Sequence, residues 1–251
     1  MAEGAGVELA DLFAWNCRSE LAAAQRPDAP GCSTIGLVDS GRMLLAHNED
    51  GGAVYQSRMI VLRVNPTEGP RFTCLVYPGT IPGNGPGINE QGIVQTTNYI
   101  DCSTPGDGIP RYILGRAVLE ARSLAEAEAI ATTEGRAFAW HHNLASVGEG
   151  RLVSLEVWPD RHHRRDVEGL HLHTNHLVHP EMSDLPQGND YLDRSSRPRL
   201  EALQRRTEES PPRNAADLLT LLSDRSGSPC RVCRRPDDEV PGMTVATALV
   251  E

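Results

Sequence analysis

The segment Gly31-Cys32-Ser33-Thr34 sets a cysteine between a Pro-Gly turn and the first residues of an extended run, where a thiol is held rigidly with its backbone accessible. A thiol so placed is either a small core residue at a strand start or a nucleophile. Farther along stand side chains that a nucleophile would need. Asn48-Glu49-Asp50 brings a carboxylate to the close of a strand, Gly87-Ile88-Asn89-Glu90-Gln91-Gly92 forms a turn ahead of Asn98, and His173-Thr174-Asn175-His176 adds amides and imidazoles. A nucleophile, an orienting carboxylate and amide donors, all at strand ends or turns, are the residue types of acyl transfer.

Two other groupings suggest different chemistry. His171, His173, His176 and His179 crowd into nine residues, and alternating histidines on a strand share one face, which is the starting point for a His-rich metallohydrolase. No acidic or cysteine ligand sits among them at a metal-binding spacing, so the plainer reading is strand and loop histidines. Cys230-x-x-Cys233 is a single CxxC. Without a second pair it needs borrowed ligands to hold zinc, or a βαβ setting to act in redox.

The elements that must position these residues are read from periodicity. Leu9, Leu12, Phe13, Cys17 and Leu21 predict an amphipathic helix over 7–25. Strands are predicted at Ser33–Val38 and Met43–Asn48 around the turn Asp39-Ser40-Gly41, then at Arg58–Val64, Phe72–Tyr77 and Gly92–Tyr99. Residues 78–88, with four Gly and three Pro, read as a loop. Pro110 opens a helix to about Ala121, and Ser123-Leu124-Ala125-Glu126 is a capping box for another ending near Thr133. Residues 143–147 and 151–157 flank a Gly148-Glu149-Gly150 turn, and His171–Asn175 is a further strand. Helices near 197–206 and 215–223 follow, the second capped by Asn214. Hairpins with grouped helices, rather than regular strand–helix alternation, specify an α+β layered domain.

The ordered succession Gly31-Cys32-Ser33-Thr34, Asn48-x-Asp50, Gly87-x-Asn89-x-x-Gly92 with Asn98, Gly108-Ile109-Pro110, Leu155-Glu156-Val157, His173-Thr174-Asn175-His176 and Cys233-Arg234 resembles the acyl-coenzyme A:6-aminopenicillanic acid acyltransferase family. These are N-terminal nucleophile (Ntn) amide hydrolases and acyltransferases. The resemblance implies a four-layer αββα sandwich of two antiparallel sheets and a chain that cuts its own backbone between Gly31 and Cys32. It implies that residues 1–31 are a partial propeptide or small-subunit segment and that 32–251 form the catalytic domain, with the hairpin partner of its last strand missing.

By the same resemblance Cys32 is the nucleophile, Asp50 orients its freed amine, Asn175 donates its amide N–H to the oxyanion, and Arg234 holds a carboxylate or the amine network. Asn89 and Asn98 are expected to be structural. The freed α-amine, with a reference pKa of ~7.7–8.0, serves as base beside its own thiol, so neither metal nor cofactor is required. The expected substrate is a linear amide or acyl thioester, hydrolysed in preference to transferred, with acyl and amine identities left open. Where relatives carry aromatics around the Asn-x-Asp aspartate, this chain has Glu49 and Gly51, which makes the local pocket more polar. A relic that has lost processing and acts as a binding protein is the non-enzymatic alternative. It would remain a single chain with an unreactive Cys32.

Composition narrows the field. The chain has 251 residues, 39% of them hydrophobic, enough for a sizeable core. All 24 basic residues are Arg, so lysine chemistry is excluded, and a net charge of −10 gives no general attraction to nucleic acid or anionic membrane. No apolar run reaches ~18 residues, and Glu3, Glu8 and Asp11 are unlike a signal peptide. Six cysteines in a chain of this length read as thiols in a reducing compartment, and a cytoplasmic location is expected.

Overall fold

A computed structural model describes residues 1–21, 31–187, 192–227 and 230–251. Its organising element is the hairpin of β1 (Cys32–Asp39) and β2 (Arg42–Gly51). Ser40 and Gly41 connect the two with φ of 48° and 80°, the two-residue turn whose twist matches that of its strands. That turn fixes the register, pairing Cys32 with Glu49 and Thr34 with His47. β10 (Gly169–His173) and β11 (Met243–Val250) complete an antiparallel sheet ordered β10-β1-β2-β11.

The second sheet has seven strands in sequence order: β3 (Ile60–Val64), β4 (Phe72–Val76), β5 (Gly87–Asn89), β6 (Ile93–Tyr99), β7 (Trp140–Ser146), β8 (Arg151–Val157) and β9 (His162–Asp166). All of its pairings are antiparallel. Side-chain alternation divides the strands cleanly between two layers of core. On β2, Leu44 and Ala46 pack with Leu203, Leu218 and Leu222 of α6 (Arg197–Glu209) and α7 (Ala215–Leu222). Their neighbours Met43 and Leu45 face the other way, onto Val94, Ala145 and Leu152 of the second sheet. The outer side of that sheet carries Tyr112 and Val118 of α4 (Arg111–Val118) and Leu124 and Ala127 of α5 (Leu124–Ala131). The result is the expected four-layer αββα sandwich of two antiparallel sheets.

Capping behaves as the sequence predicts. Ser123 accepts from the Glu126 N–H at 3.1 Å and Asn214 from the Asp217 N–H at 3.1 Å. Two strands were not anticipated. β9 is the charged run His-His-Arg-Arg-Asp, an edge strand with no apolar alternation to reveal it, and β5 is three residues inside the turn motif. The N-terminal expectation is corrected. Instead of one helix over 7–25 there are α1 (Ala2–Ala5), α2 (Leu9–Asn16) and α3 (Arg18–Leu21), and 22–25 lie outside the described residues. The predicted apolar face docks only in part: Cys17 is buried and Leu12 half-buried, whereas Leu9, Phe13 and Leu21 are exposed. Polar side chains carry the hydrogen-bonded contacts. Asn16 bonds Gly79 O at 3.2 Å and Ile81 N at 2.8 Å, and Glu20 takes the N–H of Arg111 at 2.9 Å. No helix among the described residues is long and apolar enough to cross a membrane.

At Gly36 the first sheet packs tightly against a side chain of the second: a Cβ there would lie 2.5 Å from Leu152 Cδ2. Gly36→Val should therefore destabilise the sandwich by about 1–3 kcal/mol through overpacking. The check is urea unfolding, where the midpoint should fall at unchanged slope; an unaltered midpoint would contradict the tight contact.

Candidate active site

The two ends of the Gly31–Cys32 peptide are held from three directions. β2 supplies the backbone N–H of Asp50, which donates to Gly31 O at 2.9 Å. The Cys32 N–H donates to Asn175 Oδ1 at 2.8 Å, just beyond the end of β10. α6 supplies Arg199, whose Nη1 donates to Cys32 O at 2.6 Å and to Ser33 Oγ at 2.8 Å while Nη2 donates to Asn175 Oδ1 at 2.6 Å. Every one of these side chains is buried, and Arg199 and Asn175 are at 0% exposure. A guanidinium removed from water in this way must be matched by acceptors, and here the acceptors are the groups flanking Cys32.

On the face of the hairpin turned toward the second sheet, strand register gathers Cys32, Thr34, His47 and Glu49. The Cys32 thiol, a His47 ring nitrogen and a Glu49 oxygen all lie within 4.8 Å of one another. His47 Nε2 is 3.3 Å from Glu49 Oε2, and the Tyr77 hydroxyl donates to Glu49 Oε1 at 2.7 Å. Burial pushes the Cys32 thiol well up from its ordinary value, and the charges of Glu49 and Asp50 add to that. The Asp50 backbone N–H and the charge of Arg199 act in the opposite sense. Tyr77 is likewise raised by burial and by Glu49, so it remains a hydrogen-bond donor.

The opposite face of β2 carries Asp50. Its Oδ1 accepts the Thr244 hydroxyl at 2.6 Å, and its Oδ2, 4.0 Å from Arg199 Nη1, has no hydrogen-bond partner among the described residues. Burial raises the Asp50 carboxyl, with Arg234 and then Arg199 pulling it down. Arg234 is buried too, but its Nη2 donates to Val240 O at 3.0 Å, and its backbone N–H reaches Thr244 Oγ1 at 2.9 Å. Gly242, at φ +128°, lies against that guanidinium, and a Cβ there would come 2.8 Å from Nη2. Cys32, Asp50, Asn175 and Arg234 are thus brought together, Arg234 through the charge and hydroxyl beside Asp50. In the intact chain the Asn175 amide N–H is given to Tyr99 O at 3.0 Å, and it is the amide oxygen that faces Cys32.

Sequence reasoning missed Arg199, and nothing in the run Arg194, Arg197, Arg199 distinguishes it from its exposed neighbours. His47 went unremarked, and Glu49 was noted only as a polar departure. The position of both opposite Cys32 and Thr34 follows from the hairpin turn alone. Asn89 fixes a loop as expected, bonding Leu119 O and Ala121 O at 3.2 and 2.7 Å. Asn98 belongs to a polar layer between the sheets, where its Oδ1 accepts from Thr34 Oγ1 at 3.0 Å and Asn143 Nδ2 at 3.1 Å.

The histidines proposed as metal ligands have separate partners. His171 meets Asn143 Oδ1 at 3.1 Å, His173 meets Glu156 at 3.1 Å and stacks on His141, His176 meets Ser196 Oγ at 2.7 Å, and His179 meets Ser154 Oγ at 2.9 Å. Cys230 Sγ lies 3.4 Å from Ser195 Oγ, and both Cys230 and Cys233 are free thiols. Among the described residues, the side chains of metal-ligating type that cluster are the Cys32, His47 and Glu49 already described, a thiol with an imidazole and a carboxylate.

Known proteins agree with this architecture. The family model for acyl-coenzyme A:6-aminopenicillanic acid acyl-transferase matches residues 38–251, beginning after Cys32. Among solved structures, a variant of the conjugated bile acid hydrolase from Clostridium perfringens superposes with a TM-score of 0.58 at 12% identity, covering 87% of this chain and 86% of that one. A second variant of the same hydrolase gives 0.56 at 12% identity, over 86% and 85%. Penicillin V acylase from Agrobacterium tumefaciens gives 0.48 at 12%, over 87% and 79%. With the family model and the two bile acid hydrolase superpositions, the sandwich is an Ntn-hydrolase fold. No curated protein sequence matches the chain.

Burial keeps His142, His171, His173 and His176 at about 3, His179 at about 4 and His141 well below its usual value. All six are neutral when folded, whereas the unfolded chain protonates them below a pH of about 6.5. The unfolded state then binds more protons, so stability is fully present above that pH and is lost as pH falls toward 4, by up to about 1.4 kcal/mol per pH unit per histidine. Asp50 and Glu156, both raised by burial, give the opposite slope just above the ordinary carboxylate range, two groups against six. Urea midpoints measured from pH 7.5 to 4.5 should decline; a flat profile would mean that these rings are not buried and neutral.

Proposed function

Because the chain belongs to the acyl-coenzyme A:6-aminopenicillanic acid acyl-transferase family, we propose that it is a self-processing cysteine Ntn enzyme that cleaves or transfers the acyl group of a linear amide or thioester. The observation that carries this reading is the clamped Gly31–Cys32 peptide. Its carbonyl oxygen receives the Asp50 N–H at 2.9 Å and its nitrogen faces Asn175 Oδ1 at 2.8 Å. A hydrogen bond to the carbonyl polarises the carbon that the thiol must attack and stabilises the oxyanion that attack creates.

In the first step the Cys32 thiol attacks the Gly31 carbonyl carbon, the C–N bond to Cys32 breaks, and a thioester forms. Water hydrolyses it, leaving a Gly31 carboxylate and a free α-amine on Cys32. Residues 1–31 are then a propeptide or small subunit, and 32–251 the catalytic domain. In turnover the α-amine, with a reference pKa of ~7.7–8.0, takes the thiol proton and the thiolate attacks the substrate carbonyl. The amine is held by Asn175 Oδ1 and by the Asp50 carboxylate, with Arg234 and Arg199 setting the charge around Asp50. Loss of the leaving amine gives an acyl-enzyme that water resolves, or an amine in the case of transfer. Hydrolysis is favoured because water is always available and no coenzyme A signature is readable in the sequence. A reducing, cytoplasmic setting keeps Cys32 as the thiol that this chemistry needs, and no metal or cofactor enters any step.

The intact mass of the purified protein tests the first step. The parent chain should yield fragments 1–31 and 32–251, and Cys32→Ala should stay whole. The cut parent should then release amine from simple acyl amides while Cys32→Ala releases none. A folded parent that remains a single chain would refute self-processing and leave the binding-protein reading.

A further inference from the structure

Self-cleavage poses a problem that turnover does not. The α-amine that serves as base in the mature site is still an amide nitrogen in the intact chain, with its hydrogen given to Asn175 Oδ1 at 2.8 Å. An amide nitrogen has no basicity to lend. The inference below rests on the proposal that Cys32 cuts the bond before itself, and asks which group takes the thiol proton at that stage.

Hydrogen-bond accounting around His47 supplies the answer. Thr34 has one hydroxyl hydrogen, which it donates to Asn98 Oδ1 at 3.0 Å. His47 Nδ1 lies 2.8 Å from that same hydroxyl oxygen and must therefore be the donor in this contact. A neutral His47 then presents the Nε2 lone pair to Glu49 Oε2, 3.3 Å away. Two acceptors facing each other at this distance, with both residues buried, repel unless a proton lies between them. The other Glu49 oxygen cannot relieve this, because it is occupied by the Tyr77 hydroxyl at 2.7 Å. A proton source stands beside the pair: the Cys32 thiol is within 4.8 Å of both groups.

We propose that His47 and Glu49 together are the internal base for self-cleavage, taking the Cys32 thiol proton while the nucleophile is still inside the chain. The transfer turns Sγ into a thiolate and neutralises the Glu49 charge that had opposed it. Sγ then bonds to the Gly31 carbonyl carbon, whose oxygen becomes an oxyanion held by the Asp50 N–H. As the oxyanion collapses, the C–N bond breaks and the Cys32 nitrogen takes the proton back from the His47–Glu49 pair, leaving thioester and α-amine. Water completes the hydrolysis. No oxidant, metal or cofactor is consumed. After the cut the amine becomes the nearer base, so the pair belongs to maturation.

The experiment follows cutting in full-length chain freshly made by cell-free synthesis, reading intact mass against time. His47→Gln and Glu49→Gln should each slow the appearance of 32–251 by about 10²-fold or more, the range typical for loss of a general base. His47→Ala opens room for an imidazole, so imidazole added to that variant should accelerate cutting in proportion to its concentration, which a purely structural role would not allow. Either Gln variant cutting at the parental rate, or an alanine variant that imidazole leaves unchanged, overturns the assignment. A parent chain that never cuts removes the self-processing proposal and this one with it, whereas a parent that cuts beside equally fast variants removes this one alone.

Discussion

The guanidinium of Arg199 is the constraint around which the site is built. A cation with no exposure to water is tolerable only where its hydrogen-bonding positions meet acceptors, and breaking such an arrangement typically costs about 3–5 kcal/mol. Its acceptors are Cys32 O, Ser33 Oγ and Asn175 Oδ1, with Ser195 Oγ facing Nε at 3.3 Å. These belong to three separate pieces of chain: the start of β1, the segment after β10 and the approach to α6. Satisfying one side chain therefore sets the distances between the backbone of Cys32, the amide of Asn175 and the carboxylate of Asp50. The helix cannot slide along the sheet without stranding a charge, and that rigidity gives the Gly31–Cys32 peptide a single geometry.

A second constraint is the change of character along the space between the sheets. Toward the hairpin turn this layer is apolar, filled by Met43, Leu45, Val94, Ala145 and Leu152. Toward Cys32 the same alternating positions become Thr34, His47 and Glu49 on the first sheet and Asn98, His141 and Asn143 on the second. Buried polar groups stabilise only when they satisfy one another, and here they do so in chains: Asn143 to Thr96 and Asn98, His141 to Ser154, His173 to Glu156. Glu156 in turn accepts the N–H groups of Val178 and His179 at 2.6 and 3.1 Å, which pins the loop that follows Asn175. The apolar half supplies the cohesion of the sandwich; the polar half gives it one permitted arrangement at the end where chemistry would occur.

How much of this was legible depends on whether a residue's role is local. The hairpin was legible because Asp39-Ser40-Gly41 is a turn by composition, and a two-residue turn fixes which residues of β1 and β2 face each other. Ser123 and Asn214 were legible as caps because capping is a three-residue affair. Arg199 was not: two of its partners, Cys32 and Ser33, are more than a hundred residues away, and the other arginines of α6, Arg197, Arg205 and Arg206, lie on the surface. β9 was hidden by its charges, which suit an edge strand but obscure alternation. On the N-terminal segment the apolar periodicity misled in part, because Asn16, Ser19 and Glu20 make hydrogen-bonded tertiary contacts and Cys17 is buried, while Leu9, Phe13 and Leu21 stay in water. Periodicity reports a face that could be buried, and only tertiary contact decides whether it is.

The intact chain also carries an imbalance that bears on the proposed reaction. Asp50 Oδ2 is buried without a hydrogen-bond partner among the described residues, a condition that ordinarily costs about 1–3 kcal/mol, more for a charged group. On the other side of the peptide, Asn175 Oδ1 already accepts one N–H from Cys32. An amide nitrogen has that single hydrogen to give, whereas the amine released by cutting has two, and three when protonated. On the proposed reading, cleavage creates hydrogen-bond donors in a site with an acceptor to spare, so the cut chain satisfies its buried groups better than the intact one. Under the proposed self-cleavage, that Asp50 oxygen stands ready for the amine the cut would release, while the Asp50 N–H holds Gly31 O and Asn175 Oδ1 holds the Cys32 N–H.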